Sequence, residues 1–462
     1  MLFNSLEFPV FLVVVLLFYY RLPGRKQRQY LLLAASLFFY GYWKWTYLLL
    51  LIFSSAMDYF AAIGINATQS PGKKKAFLLL SLAGNLGILG WFKYSLFLGG
   101  IFFFEKSADV PDWIPVVLPV GISFYTFQAI SYVLDVYRGR MEAEKSWTDY
   151  LLFITFFPQL VAGPIERAPQ LLGQLKNPGS AASFLPGLML LLSGFFKKLV
   201  IADRLAVYSD AVFNRPAESS APEIMLATVF FGFQIYGDFS GYSDIARGCA
   251  SFFGVNLMAN FRSPYLASDL ADFWRRWHIS LSGWFRDYLY HPLGGSRNGL
   301  LRSCINIFVV FCISGLWHGA NWTFLLWGCW HGSGLIFQKV SGKFLQPGKV
   351  IPRVMSLLWI FSGWFFFRVN SLSDVQLLAA KLSDAEGWLH VPENLFHSVS
   401  EMTLALVSIA LLLLLESNLF NLNAEHLNNL SPRKQIIFGS MAISVLLWFA
   451  HFKGGDFIYF QF

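Results

Sequence analysis

Apolar runs long enough to cross a bilayer constrain this chain more than anything else in its sequence. A hydrocarbon core about 30 Å thick takes about 20 apolar residues per helix. Such runs occupy 2–20, 30–65, 76–98, 113–134, 184–207, 224–239, 304–337, 354–369, 402–415 and 436–452. The run 30–65 is long enough for two helices, split near Gly41. The pattern predicts an all-α polytopic membrane protein with roughly ten to twelve spans. Charged residues make up 13% of the chain, about half the roughly 25% of a soluble domain. That excludes a soluble core of this length.

The charges predict an orientation. Arg21, Arg25, Lys26 and Arg28 follow the first run, Lys73, Lys74 and Lys75 precede 76–98, and Arg138, Arg140 and Lys145 follow 113–134. Between the last two lies a loop with Glu105, Asp109 and Asp112 against Lys106. Threading the runs through these loops puts the basic ones in the cytoplasm and the N-terminus outside. The net charge of +8 therefore reads as a positive-inside bias, and no nucleic-acid partner is expected. Glu7 before the first run and basic residues after it do not fit a cleaved signal peptide. Cys249, Cys304, Cys312 and Cys329 form no CxxC pair, so a disulfide framework is not expected.

Two regions depart from plain membrane helix. In "TFFPQLVAGPIERAPQ", 155–170, prolines and glycines break an otherwise apolar stretch. Irregular backbone at membrane depth survives only where protein or a cavity satisfies its polar groups. A re-entrant segment is expected there, with a surface loop as the alternative. The second region, 236–302, concentrates polar residues. Drawn at about 100° per residue, 269–288 is one amphipathic helix. Leu270, Phe273, Trp274, Trp277, Leu281, Trp284, Phe285 and Tyr288 face one way, while Asp272, Arg275, Arg276, Ser282, Arg286 and Asp287 face the other. Such a helix lies at a membrane interface, and His278 falls at the edge of its apolar arc. The segment 381–400 reads as an extramembrane loop with His390 and His397 solvated.

Trp-His-Gly occurs twice in "GLWHGANWTFLLWGCWHG", 315–332. The run 304–337 is too long for one span, and its glycines and Asn321 predict a break over 314–321. His318 then sits at a helix break, where a neutral imidazole suits general-base work. His331 lies 13 residues on, about 20 Å away if the intervening helix is continuous. On that geometry the two histidines do not share a reaction centre, and His331 reads as a packing residue. No GxSxG, Walker loop, HExxH or dinucleotide fingerprint is present. The spacing of His278, His291, His318 and His331 matches no standard zinc pattern, so no metal is expected.

These residues resemble a known family. "GLWHGANWTFLLWGCWHG" together with "DFWRRWHISLSGWFRDYLYHPLGGSRNG", 272–299, is similar to the signature of the membrane-bound O-acyltransferases (MBOAT). "LFNSLEF" at 2–8, "FPQLVAGPIERAPQLLGQL" at 157–175 and "YGDFSGYSDIARG" at 236–248 resemble the bacterial, AlgI-like branch of alginate O-acetyltransferase membrane subunits. The resemblance runs from Leu2 to His331 and weakens beyond about residue 370. It implies one integral-membrane domain over 1–462, with a catalytic core about 115–340 and tilted helices around a tunnel.

The resemblance further implies an acetyl group taken from a cytoplasmic thioester, acetyl-CoA or an acyl carrier protein, with no permanently bound cofactor. Transfer would run across a bacterial inner membrane toward an exported polysaccharide, with an extracytoplasmic SGNH-type partner protein. The family's invariant histidine maps onto His318 and its second onto His278. Arg275 and Arg276 then fall near the donor side. Trp317, Asp238, Ser240, Tyr242 and His331 become candidate tunnel-lining residues, and Asn321 a candidate for polarising the carbonyl. D-alanyl or peptidoglycan O-acyl transfer on the same fold is the alternative. A polysaccharide transporter or channel whose histidines relay protons is the rival of another class, but no paired half-repeats with matching broken helices support it.

Overall fold

A computed structural model of the chain describes residues 1–102, 117–179, 184–342, 350–389, 399–417, 431–451 and 457–458. Among the described residues the regular structure is entirely helical. The chain forms two compact units: Met1–Leu191 with Tyr242–Ala259, and Leu192–Gly241 with Asn260–Phe462. His390 and His397 lie outside the described residues, as does the start of the run 113–134.

The first unit opens with α1 (Glu7–Arg21), α2 (Arg25–Gly41) and α3 (Trp45–Ala67). The chain breaks between Gly41 and Trp45, where the sequence places the split. Helix α1 turns Phe8, Leu12, Val15 and Tyr19 inward and leaves Val10, Leu17 and Phe18 more than half exposed. That apolar outer face suits lipid. Helix α4 (Pro71–Phe102) packs back on α3. A Cβ on Gly84 would lie 2.2 Å from the Met57 sulfur, and one on Gly64 2.7 Å from the Phe77 ring. Three further helices follow: α5 (Ile122–Tyr137), α6 (Trp147–Thr155) and α7 (Ala168–Lys176).

The segment 155–170 is irregular, and it is not a surface loop. Phe156, Phe157, Leu160, Ala162, Ile165 and Glu166 are all at most 1% exposed. Several of its polar groups are met from within the unit. The Phe157 amide donates to Ser36 Oγ at 3.0 Å, and Gln159 Nε2 donates to the Phe153 carbonyl at 2.9 Å. Glu166 Oε1 accepts from the Met258 amide at 2.6 Å. This is the condition that irregular backbone at membrane depth must meet.

The second unit holds most of α8 (Phe184–Phe213) and of α9 (Ala221–Ser251). It also holds the short α10 (Leu270–Arg276) and α11 (Ile279–Phe285), α12 (Gly299–His318), α13 (Trp322–Ser341), α14 (Val350–Arg368), α15 (Leu372–Ser383), α16 (Val399–Glu416) and α17 (Pro432–Phe449). Its core is aromatic, built on Phe230, Phe231, Tyr236, Phe273, Trp277, Phe324, Trp327, Trp364 and Phe367. Helices α12 and α13 approach unusually closely. A Cβ on Gly315 would sit 2.2 Å from the Phe324 carbonyl oxygen, and one on Gly328 2.3 Å from that of Phe311. Among the described residues α3, α4, α8, α12 and α14 are each long and apolar enough to cross a membrane.

The amphipathic helix expected over 269–288 is two helices. Asp269 caps α10 by accepting from the Asp272 amide at 2.8 Å. Helix α10 stops at Arg276, the chain turns at Trp277 and His278, and α11 starts at Ile279. The apolar periodicity runs through the break because both short helices bury the same face, so sequence pattern does not register it.

Candidate active site

The break between α10 and α11 puts His278 in the left-handed region, at φ 42°, where among the described residues only one other non-glycine residue, Ser263, is found. A non-glycine residue there costs about 1–3 kcal/mol and persists only where its surroundings hold it. Asn260 supplies that hold: its carbonyl accepts from the Ile279 amide at 2.9 Å, and its Oδ1 accepts from the Ser280 amide at 3.3 Å. The effect is to turn the His278 side chain inward, to 2% exposure.

His318 is the last residue of α12, at the break that the glycines predict. Gly319 leaves the helix in extended backbone. Asn321 caps α13, accepting from the Thr323 amide at 3.2 Å and donating through Nδ2 to the Asn370 carbonyl at 2.8 Å. Both ends of its amide are therefore engaged in the turn, a role that its reading as a carbonyl-polarising group did not foresee.

The two breaks bring His278 and His318 together, with ring centroids 6.4 Å apart. Trp317 touches both rings, at 5.9 and 5.0 Å. Phe239 meets His278 edge-on at 4.6 Å. Trp327 and Phe367 flank His318 at 5.0 and 5.3 Å. Phe239, Trp327 and Phe367 are each 1% exposed. The sequence reading missed these three as neighbours of the histidines, since an aromatic residue in an apolar run carries no local signal of its contacts. Two imidazoles in a nearly dry aromatic enclosure are equipped to take and return a proton close to a bound reactant.

His331 is not remote. The estimate of about 20 Å required a continuous helix, and the turn at 319–321 folds α13 back along α12. His331 reaches Trp327 at 5.1 Å, on a ring that also contacts His318. It is 1% exposed.

The other predicted residues make the following contacts. Arg275 and Arg276 pair with Asp272 at 3.4 and 3.0 Å, and Arg275 is largely exposed. Burial raises the Asp272 carboxyl, but the Ser268 amide and the two arginines outweigh it and hold it below the usual carboxylate range. Asp238 is buried against Lys198 at 2.5 Å and accepts from the Ile458 amide at 2.6 Å. Asp203 completes that group, 2.8 Å from Lys198. Removing one partner from such a buried ionic group costs about 3–5 kcal/mol. The Ser240 side chain is buried, at 1% exposure. Tyr242 belongs to the first unit, where it stacks on Phe3 at 4.6 Å. Among the described residues no three His, Cys, Asp or Glu side chains gather as metal ligands. The Cys312 and Cys329 thiols, on α12 and α13, share a hydrogen bond at 3.5 Å and form no disulfide.

Residues 143–370 match the model of MBOAT, the membrane-bound O-acyltransferase family. The chain is 37% identical over 381 residues to the probable alginate O-acetylase AlgI of Pseudomonas putida, covering 80% of this chain and 78% of that one. It is 37% identical over 376 residues to the peptidoglycan O-acetyltransferase of Helicobacter pylori, covering 74% and 71%. A more distant relative is the teichoic acid D-alanyltransferase of Bacillus subtilis, 28% identical over 222 residues, covering 45% and 56%. The family match includes His278, His318 and His331.

Proposed function

The chain belongs to the membrane-bound O-acyltransferase family, and from that premise we propose that it carries an acetyl group from a cytoplasmic thioester toward an exported polysaccharide, with His318 as the base. That it is a multi-pass membrane acyltransferase follows from the family and from its apolar helices. The choice of acetyl rests on the names of the relatives at 37% identity, an alginate O-acetylase and a peptidoglycan O-acetyltransferase. The D-alanyltransferase match is weaker in identity and in extent. An alginate-like exopolysaccharide is favoured as the acceptor by the extent of the match, 80% of this chain against 74% for the peptidoglycan enzyme and 45% for the teichoic acid enzyme.

The observation that carries the assignment is the pairing of His278 and His318 at two helix breaks, inside the family match. In the proposed step an acceptor hydroxyl gives its proton to the neutral His318 imidazole as its oxygen attacks the thioester carbonyl. The new C–O bond forms, the C–S bond breaks, and the departing sulfur recovers the proton from His318. His278 orients the reacting groups or shares the proton. Assistance of this kind contributes about 10²–10⁴ in rate.

The donor is acetyl-CoA or an acetylated carrier protein on the cytoplasmic face of a bacterial inner membrane, with the N-terminus outside. An extracytoplasmic SGNH-type protein completes delivery to the glycan. The test replaces His318 by Ala and measures acetyl on exported glycan by mass spectrometry at matched membrane abundance. Loss of acetyl is expected, and wild-type acetylation removes the assignment. Capture of an SGNH-type protein with the full chain tests the partner.

A further inference from the structure

We propose that His331 is a positioning residue for His318, acting through Trp327, and that Gly363 is the slot that admits it. The inference rests on the reading of His318 as the base. Trp327 stands between the two histidines, edge-on to both, at 5.0 Å from His318 and 5.1 Å from His331. Behind His331, Trp274 of α10 meets it at 4.9 Å and Trp327 at 5.6 Å. The three rings close on one another, and both Trp327 and His331 reach Trp364 of α14, each at 6.2 Å.

On that side there is no slack. A Cβ built on Gly363 would lie 2.2 Å from His331 Nε2 and 2.7 Å from Cε1. Helices α13 and α14 cannot drift apart to make room, because Trp330 and Trp359 stack at 4.2 Å and each indole donates to the other's carbonyl, at 3.0 and 3.3 Å. Among the described residues neither nitrogen of His331 has a hydrogen-bond partner, an arrangement that disfavours a polar residue at this depth. Its shape accounts for it. Imidazole, the smallest aromatic ring among the side chains, backs Trp327 edge-on while its far edge lies against Gly363 of α14.

The experiment uses the full chain in membrane vesicles of the producing cell, with acetyl-CoA varied as donor and acetyl on the glycan measured. The variants are His331→Ala, Gly363→Ala, the double variant and His318→Ala, each normalised to folded protein. Sub-ångström to 1 Å displacements of a catalytic group cost up to about a hundredfold, so His331→Ala and Gly363→Ala should each lower kcat about tenfold. KM for the donor should stay within about twofold. The double variant should be no slower than His331→Ala, because the added methyl then meets no ring.

Wild-type kcat in both single variants overturns the proposal. So does a loss that disappears on normalising to folded protein, or a double variant whose loss is the product of the two. Should His331→Ala not fold, Gly363→Ala alone carries the test, since it pushes the same ring from the far side. Wild-type activity in His318→Ala instead overturns the underlying reading of the base. A silent His331 with an inactive His318→Ala overturns only the positioning role.

Discussion

The chain breaks a helix immediately at His278 and immediately after His318, and it does so by opposite means. After His318 the break is made by residues suited to it: Gly319 takes extended backbone, and Asn321 caps the next helix. At His278 no glycine is present, and the histidine itself adopts the left-handed conformation under the grip of Asn260. The first kind of break is written in local composition. The second is imposed by packing and stores strain at a residue that faces the other histidine. A strained backbone at one member of a buried pair is a mark of a constrained site more than of a fold requirement.

The largest effect that sharpens this comparison is expected at the strained break. His278→Asn and His278→Ala should both lower acetyl transfer, by about tenfold or more if the imidazole assists the proton. Asparagine tolerates the left-handed region and alanine does not, so the Asn variant should be the more stable by about 1 kcal/mol. Equal melting temperatures for the two would mean that backbone strain at 278 is not felt. Wild-type transfer by both would remove His278 from the reaction.

At the other break, Gly319→Ala is expected to act through packing. Its Cβ would fall 2.0 Å from the ring of Phe324, which is 6% exposed in the aromatic core. Overpacking of this sort costs about 1–3 kcal/mol, to be read as a lower melting temperature in detergent. An unchanged melting temperature would show that the turn yields easily, and the contrast between a relaxed and a tightly fitted break would fail.

The smallest effect concerns the helix that leads into the strained break. Asp272 holds Arg276 and the Ser268 amide at 3.0 Å each, and its carboxyl is depressed below its usual 3.8. A depressed carboxyl contributes stability above its unfolded pKa and loses it as pH falls through the folded one. Asp272→Asn should therefore melt slightly lower than wild type near neutral pH, and the gap should close under acid conditions. A gap that persists in acid would assign the effect to the helix α10 cap and not to the charge.

Much of the fold was legible in the sequence. The apolar runs, the split between Gly41 and Trp45 and the break around Gly319 follow from hydropathy and from glycine and asparagine chemistry. The break at His278 was not, because the apolar face continues through it and tertiary contacts, not composition, hold its dihedral. The candidate site divides in the same way. His318 is marked by its glycines and His278 by a motif, but the distance between them depends on how α10–α11 and α12–α13 pack. His331 makes the point most clearly: one helical turn of α13 sets it against Trp327, but only the break after His318 brings that tryptophan onto His318 as well.

The sequence by itself determined that this is a multi-helix membrane protein, because hydropathy acts over neighbouring residues, and its resemblance to a known family marked it as an acyltransferase with two histidines in signature elements. Only the tertiary structure decided which rings meet. Contacts such as Phe239 on His278 and Gly363 behind His331 join residues more than thirty positions apart. They are fixed by close packing, which no local pattern encodes.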